Sequence, residues 1–407
     1  MLQYGLELAG GRWLVGAFAR VLPFAIYALI AAHVSVRSKL ATAVVLGGLI
    51  AAVVHVHPQP WVWIESLASS AALLSIACSA VFLLRPAMQA GMLTRPALGL
   101  LCIALFLLAP GLLIQGEANM LVMVLGFELT FSAFSYCVER VEPEPEFGEC
   151  MRFLLVNPLL VYRRLSLVDH PNSLRWRGFG RVLLGIGVLF AYHALVLALP
   201  FTGLAYDGQR IVFDDLAGYR GFVSMMAANL VVLYLAHSGL ASLQIGCMRL
   251  LGYDIPERYR MPFLARSPDD LWRRWNTYLG AWLKRYVFAP SAVALLRRRR
   301  RWSAAAARTA PIVGTFALCG LMHDLAIDLR SSSLGAGGTL AFGFAALSIL
   351  TWMAIERGLR RARWPRSAVV TFGVAFAVHS ELLLGFVALP TLAGQPLPGP
   401  LRALWFG

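Results

Sequence analysis

Charge is scarce in this sequence, and acid is scarcer than base: 14% of the 407 residues are charged, 21 acidic against 36 basic. A chain that is 59% hydrophobic has too few ionic groups to cover a soluble surface of this size. A mean hydropathy of +0.68 makes a bilayer its natural solvent. Cysteine is also sparse, with six in all. Cys78, Cys102, Cys247 and Cys319 lie in apolar stretches, Cys137 ends one, and Cys150 stands in a polar segment. This pattern excludes a disulfide framework. No pair has the spacing of a zinc or redox motif, so no metal site is expected, and no glycine-rich phosphate loop follows a strand.

What is present is apolar length. A helix needs roughly 20 apolar residues to cross the hydrocarbon layer. Ten stretches qualify, near 13–32, 40–56, 62–84, 97–115, 118–138, 181–200, 221–248, 310–329, 337–355 and 367–390. The first contains Arg20 and Pro23 and lacks a small-residue cleavage site, so it reads as a retained helix. The expected fold class is an all-α polytopic membrane protein, one integral domain over 1–407.

A net charge of +15 would indicate a nucleic-acid partner in a soluble protein. Here the positive-inside bias accounts for it, and no nucleic-acid partner is expected. The segment 139–181 carries Arg140, Arg152, Arg163, Arg164, Arg175, Arg177 and Arg181, whereas 201–220 sets Arg210 and Arg220 against Asp207, Asp214 and Asp215. The first therefore faces the cytoplasm and the second faces out. Alternation along ten spans puts both termini outside, in a multi-pass membrane protein. The run Arg297 to Arg301 is explained by the same bias and by anionic headgroups before any acidic substrate.

Two long cytoplasmic insertions, 139–181 and 249–309, interrupt the spans, and segments of that length are usually functional or internally structured. The first reads as an interfacial helix or re-entrant piece through Phe153 to Tyr162. The second contains Ser267-Pro268-Asp269-Asp270, a helix start with a capping serine, a first-turn proline and a variant capping box. From there Trp272, Trp275, Leu279, Trp282, Leu283 and Tyr286 recur at three- and four-residue steps, flanked by Arg273, Arg274, Lys284 and Arg285. This predicts one amphipathic helix with a basic rim. Asn276 then carries a carboxamide at the edge of its buried face, which is costly without a partner.

Polar groups inside spans are expensive and point to a partner, a cavity or a reaction centre. His323 is the leading candidate, in Cys319-Gly320-Leu321-Met322-His323-Asp324, where Cys319 and Gly320 leave room for a helix or an acyl chain. An imidazole there accepts a proton near neutral pH. From position alone, a helix-packing histidine is an equal reading. Asp324, one residue on, points about 100° away and is no ready-made orienter. His193, His237, Gln244, Glu65, Glu128, Asn229, His379 and Glu381 read first as interhelical hydrogen-bond partners. Among these His237, directly before the basic insertion, is placed to line the same cavity as His323.

Taken together, these residues resemble the membrane-bound O-acyltransferase family. The likeness runs from about 244 to 361. It is carried by Ile245 to Tyr253, by Tyr259-Arg260-Met261-Pro262-Phe263-Leu264-Ala265, by Ser267 to Asn276, by Trp282 to Phe288, and by Gly320-Leu321-Met322-His323. Met322 stands where that family usually has Trp, and Asp324 where Gly is common. Val156-Asn157-Pro158-Leu159-Leu160 resembles its upstream apolar-proline element, without the Gly-Pro that often follows.

The resemblance implies a ring of tilted helices around a central tunnel, with amphipathic cytoplasmic helices. It implies that His323 takes the place of the general base and Asn276 that of the second polar residue of the site. On that reading Trp272, Trp275, His237 and Met322 are candidates for the tunnel wall, and Arg273, Arg274, Lys284 and Arg285 for donor binding. The donor would be an acyl-CoA or an acyl carrier protein, with no bound cofactor. The acceptor would be a hydroxyl of an envelope glycan or of a lipid, with a periplasmic acyltransferase as a possible partner. A transporter lined by His323, His237 and Glu128 is the alternative from another class, and it predicts a repeat symmetry that the sequence lacks. A relative that binds lipid or partners without catalysis is the third.

Overall fold

The computed structural model describes residues 79–381, apart from 82, 109–117, 147–148, 151–152, 155–156, 169–170, 199–203, 207–210, 214–217, 298–302, 304 and 332–336. The first two apolar stretches, most of the third, and Glu65 lie outside the described residues.

The described elements are helical except for one short hairpin. They are α1 Arg95–Ile103, α2 Ala118–Val138, α3 Pro171–Ala198, β1 Leu204–Tyr206, β2 Ile211–Phe213, α4 Gly218–Leu250, α5 Pro268–Arg274, α6 Thr277–Leu283, α7 Ala289–Arg297, α8 Ala306–Ser331, α9 Gly337–Arg361 and α10 Arg366–Ala377. A π turn, Ala104–Leu108, extends α1, and another, Lys284–Phe288, joins α6 to α7. The hairpin pairs Leu204 with Phe213 in the connection read as outward-facing. Among the described residues, three helical stretches are long and apolar enough to cross a membrane: Leu230–Leu250, Ala306–Ala326 and Gly337–Arg361.

The chain divides into two compact units, one of Met1–Phe190 with Ser238–Pro256, the other of Ala191–His237 with Glu257–Gly407.

In the first unit, α3 and the end of α4 approach through glycine. A Cβ on Gly246 would stand 2.8 Å from the Val182 nitrogen, and one on Gly185 would stand 2.9 Å from the Leu243 nitrogen. Backbones this close gain dispersion contacts that larger residues would prevent, the usual means of helix association where lipid removes the hydrophobic drive. The opposite face of α3 leaves Trp176, Phe179, Leu183, Ile186 and Phe190 exposed at three- and four-residue steps.

Of the two readings of the first insertion, the re-entrant piece fits better than the interfacial helix, since residues 157–166 are not helical; helix α3 begins at Pro171, ten residues before the apolar stretch at 181–200. Asn157 accepts from the Leu159 N–H around Pro158, which turns the chain, and Leu159, Leu160 and Tyr162 are buried. The Tyr162 N–H bonds Ser135 Oγ of α2, and its ring meets Tyr136 and Phe153. Covered by protein, this backbone needs no helix to satisfy its polar groups. Burial and the Glu149 hydrogen bond push the Tyr162 phenol up. Arg85 closes the region: buried, it bonds the Tyr136 carbonyl and pairs with Glu144 at 2.5 Å.

In the second unit, α8 and α9 form the most extensively packed helix pair. Their contact is again a glycine approach, since a Cβ on Gly320 would lie 2.6 Å from Thr339 Cα. Gly320 thus makes room for a helix. α10 packs on α9 through Trp352, which lies against Phe372 and Phe376.

Candidate active site

The predicted amphipathic helix begins as expected and then breaks. Ser267 Oγ accepts from the Asp270 N–H at 3.3 Å, Pro268 opens α5, and Asp270 Oδ2 accepts from the Arg266 N–H at 3.0 Å. Burial opposes ionisation of Asp270, but the Arg266 N–H and Arg274 together hold its carboxyl below the usual range.

The single helix through Tyr286 is corrected by the structure. Trp275 is extended and Asn276 is left-handed, with φ 33°, so the chain restarts as α6. Asparagine is among the few residues that tolerate this conformation, and it is also a strong N-cap. Asn276 Oδ1 takes both roles' partners, the Leu279 N–H at 3.5 Å and Arg258 Nε at 3.1 Å. Its carboxamide is therefore a corner piece between two short helices, not a group on one helical face. Using the oxygen locally orients the NH2 end as the donor.

The break splits the aromatic stripe in two directions. Trp272 turns to α8 and α9, edge-on to Phe316 at 5.2 Å and tilted on Phe342 at 5.4 Å. Trp275 packs edge-on against Tyr259 at 5.3 Å and beside Tyr234 of α4.

His323 is half-buried on α8. Its Nδ1 lies 2.8 Å from the Cys319 carbonyl oxygen, which only accepts, so Nδ1 carries the proton and the neutral ring's lone pair is on Nε2. The ring sits 4.7 Å from Phe342, the same ring that Trp272 contacts. Trp272 and His323 therefore share one aromatic neighbour. His237 is exposed on α4, its Nδ1 2.8 Å from the Leu233 carbonyl oxygen. Met322, where the resembling family usually has Trp, is buried. Asp324 turns away from the ring, as expected of an adjacent residue, and its carboxylate accepts from the N–H groups of Gly338 (2.5 Å) and Thr339 (2.8 Å).

Four cations were singled out for donor binding. Arg273 pairs with Asp269 at 2.6 Å and Arg274 with Asp270 at 3.0 Å, both one turn apart on α5. Arg274 also donates to the Arg260 carbonyl. Lys284 and Arg285 stand exposed on the π turn.

One residue given no special weight in the sequence enters this cluster. Glu381 is fully enclosed, and its Oε2 accepts from Trp272 Nε1 at 2.9 Å. This is an interhelical bond of the kind expected for a polar group in an apolar segment, but nothing in the sequence names the partner 109 positions away. His379, its neighbour, is exposed and bonds the Ala375 carbonyl.

The profile of the MBOAT, membrane-bound O-acyltransferase family, matches residues 128–342, more than half of the chain and all of the His323 and Asn276 region. The chain belongs to this family. It is 29% identical over 177 residues to the protein named "Probable alginate O-acetylase AlgI" from Azotobacter vinelandii, covering 44% of this chain and 28% of that one. It is 27% identical over 188 residues to a "Peptidoglycan O-acetyltransferase" from Helicobacter pylori, covering 40% and 34%. A "Probable long-chain-alcohol O-fatty-acyltransferase 7" from Arabidopsis thaliana is 28% identical over 159 residues, covering 38% and 44%. The aligned stretch thus spans less than half the length of each of these relatives.

Proposed function

We propose that this chain is an O-acyltransferase that moves an acetyl or longer acyl group from a cytoplasmic thioester, an acyl-CoA or an acyl carrier protein, to a hydroxyl of an envelope polysaccharide. The observation that carries the reading is the setting of His323: its Nδ1–H bonds the Cys319 carbonyl, leaving the lone pair on Nε2, and its ring lies 4.7 Å from Phe342, which Trp272 also contacts.

A hydroxyl is a weak nucleophile until its proton is taken. Nε2 of His323 takes that proton as the oxygen attacks the thioester carbonyl carbon. The resulting oxyanion collapses, the C–S bond breaks, and the thiolate leaves with the proton that His323 held. Asn276, its oxygen held by Arg258 and the α6 N-terminus, offers its NH2 toward the developing oxyanion. Trp272, Trp275 and His237 wall the path of the substrates. Lys284 and Arg285, exposed on their turn, and Arg273 and Arg274 on α5 are the cations offered to the donor's phosphates.

The names of the bacterial relatives support a glycan acceptor, and the Arabidopsis name favours a second reading, a long-chain alcohol. The positive-inside pattern supports a bacterial inner-membrane setting with both termini outside. A glycan acceptor on the far side would call for a periplasmic acyltransferase partner.

The test is thiol release by the purified full chain from labelled acetyl-CoA and palmitoyl-CoA. His323→Ala is expected to lower turnover by roughly 10² to 10⁴ while the protein elutes and melts like the parent. Equal turnover in the variant removes the proposed base.

A further inference from the structure

We propose that Glu381 is a positioning residue of this site, fixing the indole of Trp272 so that Trp272 and Phe342 hold the His323 ring in place. The inference rests on His323 being the base, and it concerns a residue beyond the 128–342 region that the family profile matches.

The contacts run in one unbroken series. Glu381 Oε2 accepts from the Trp272 indole at 2.9 Å, the indole lies 5.4 Å from Phe342 and 5.2 Å from Phe316, and Phe342 lies 4.7 Å from the imidazole. Phe316 and His323 are seven residues apart on α8, two turns along one face. The indole is therefore wedged between both helices that frame the base, and its one polar atom is tied to a third segment.

That third segment grips α5 at two points. Besides Glu381, Gly373 of α10 lies so close to the Arg266 carbonyl that any side chain would collide with it. Arg266 immediately precedes the Ser267 cap. Contacts at both ends of α5 fix its rotation as well as its distance, and the direction of the Trp272 side chain depends on that rotation.

The chemistry of the partner is the second argument. An indole N–H is satisfied by a serine or a carbonyl oxygen, either of which is far cheaper to bury than a carboxyl. Two serines stand beside Glu381: Ser348 and Ser380 bond one another at 2.8 Å, and Ser348 also faces the Glu381 carboxyl. A carboxyl oxygen accepts that bond in either protonation state, and makes it stronger and more directional when ionised. The excess cost is consistent with a demand on indole orientation beyond filling space.

The experiment uses the full chain in proteoliposomes, with thiol release from acetyl-CoA and palmitoyl-CoA, for Glu381→Ala, Glu381→Gln, Trp272→Phe and the Glu381→Ala/Trp272→Phe double variant. Misplacing the base is expected to lower kcat roughly 10- to 100-fold in Glu381→Ala, with the donor KM within about twofold. Glu381→Gln, whose amide oxygen still accepts from the indole, restores most of the loss. The double variant is no slower than Trp272→Phe alone. Unchanged kcat in Glu381→Ala, a loss confined to KM, no recovery in Glu381→Gln, or losses that add overturns the proposal.

A readout independent of turnover is carbethoxylation of His323 by diethyl pyrocarbonate, followed by peptide mass. Its rate should shift several-fold in Glu381→Ala and not in Glu381→Gln, and an unshifted rate overturns the proposal. His323→Ala, run alongside, separates the two ideas. Turnover retained there removes the base itself, whereas an inactive His323→Ala beside an unaffected Glu381→Ala removes only the strut.

Discussion

The α3 and α4 pair and the α8 and α9 pair use the same device for opposite ends. Each brings two backbones together through glycine, at Gly185 and Gly246 in the first and Gly320 and Gly338 in the second. Around the first contact stand the apolar Val182, Leu189 and Leu243, and Arg249 meets it only through its Cβ, beside Gly178. Around the second stand His323 and Asp324, which are costly in hydrocarbon. Close packing is thus a scaffold in one place. In the other it supports ionisable groups whose presence packing does not explain, and that difference separates the candidate site from its frame.

The comparison breaks most sharply at the histidine and the glycine. Where His323→Ala removes turnover and leaves stability, Gly246→Val should do the reverse, because the new side chain meets the Val182 backbone. Overpacking of this kind costs roughly 1–3 kcal/mol. A thermal melt should fall while turnover per folded molecule stays at the parental value; a selective loss of turnover would show that the α3 and α4 contact is no mere frame.

Asn276 sharpens the comparison, since it belongs to both sides. Asn276→Ala loses the cap and strains a positive φ, costing about 1 kcal/mol or somewhat more. Asn276→Gly accepts the backbone and costs only a few tenths. The glycine variant should therefore melt near the parent yet turn over at least roughly tenfold more slowly. Full turnover in it would reduce Asn276 to a corner residue.

Asp324→Asn tests the polar half of the α8 and α9 contact. An amide supplies one accepting oxygen for the two N–H groups that the carboxylate now serves, a loss of about 1 kcal/mol. A melt unchanged from the parent would deny Asp324 that role.

The smallest effect concerns the start of α5. The folded pKa of Asp270 lies below its unfolded value, so its contribution is complete above about pH 4 and is lost as pH falls through the folded value. Melting followed from pH 6 to pH 3 should be less steep in Asp270→Asn, and identical slopes would contradict the pairing with Arg266 and Arg274.

Much of this was legible in the residues. The Ser267 and Pro268 start, the apolar stretches at 118–138 and 221–248, and the outward turn of Asp324 all follow from local rules that the fold does not override. The break at Asn276 was not read, because the aromatic spacing continues across it and periodicity cannot report a single left-handed residue. The available signal was the asparagine itself, a good cap and a tolerant corner. The ion pairs of Arg273 and Arg274 were legible too, since Asp269 and Asp270 stand four positions earlier, the spacing of helical ion pairs. The Nδ1 bond of His323 is shared by His237 and His379, each bonded to a carbonyl four residues back. What distinguishes His323 is its aromatic surroundings, which are assembled from distant segments. The bond from Glu381 to Trp272 is long-range in the same way, and no local pattern encodes it.

The carboxylate of Asp324 bears on how the chain enters the bilayer. Left alone near the end of α8 it would oppose insertion, but it is welcomed by the first amides of α9, which begins only six residues after α8 ends. Folded as one hairpin, the two helices carry that carboxylate with its hydrogen bonds already made, and the candidate base beside it with Phe342 already against its ring.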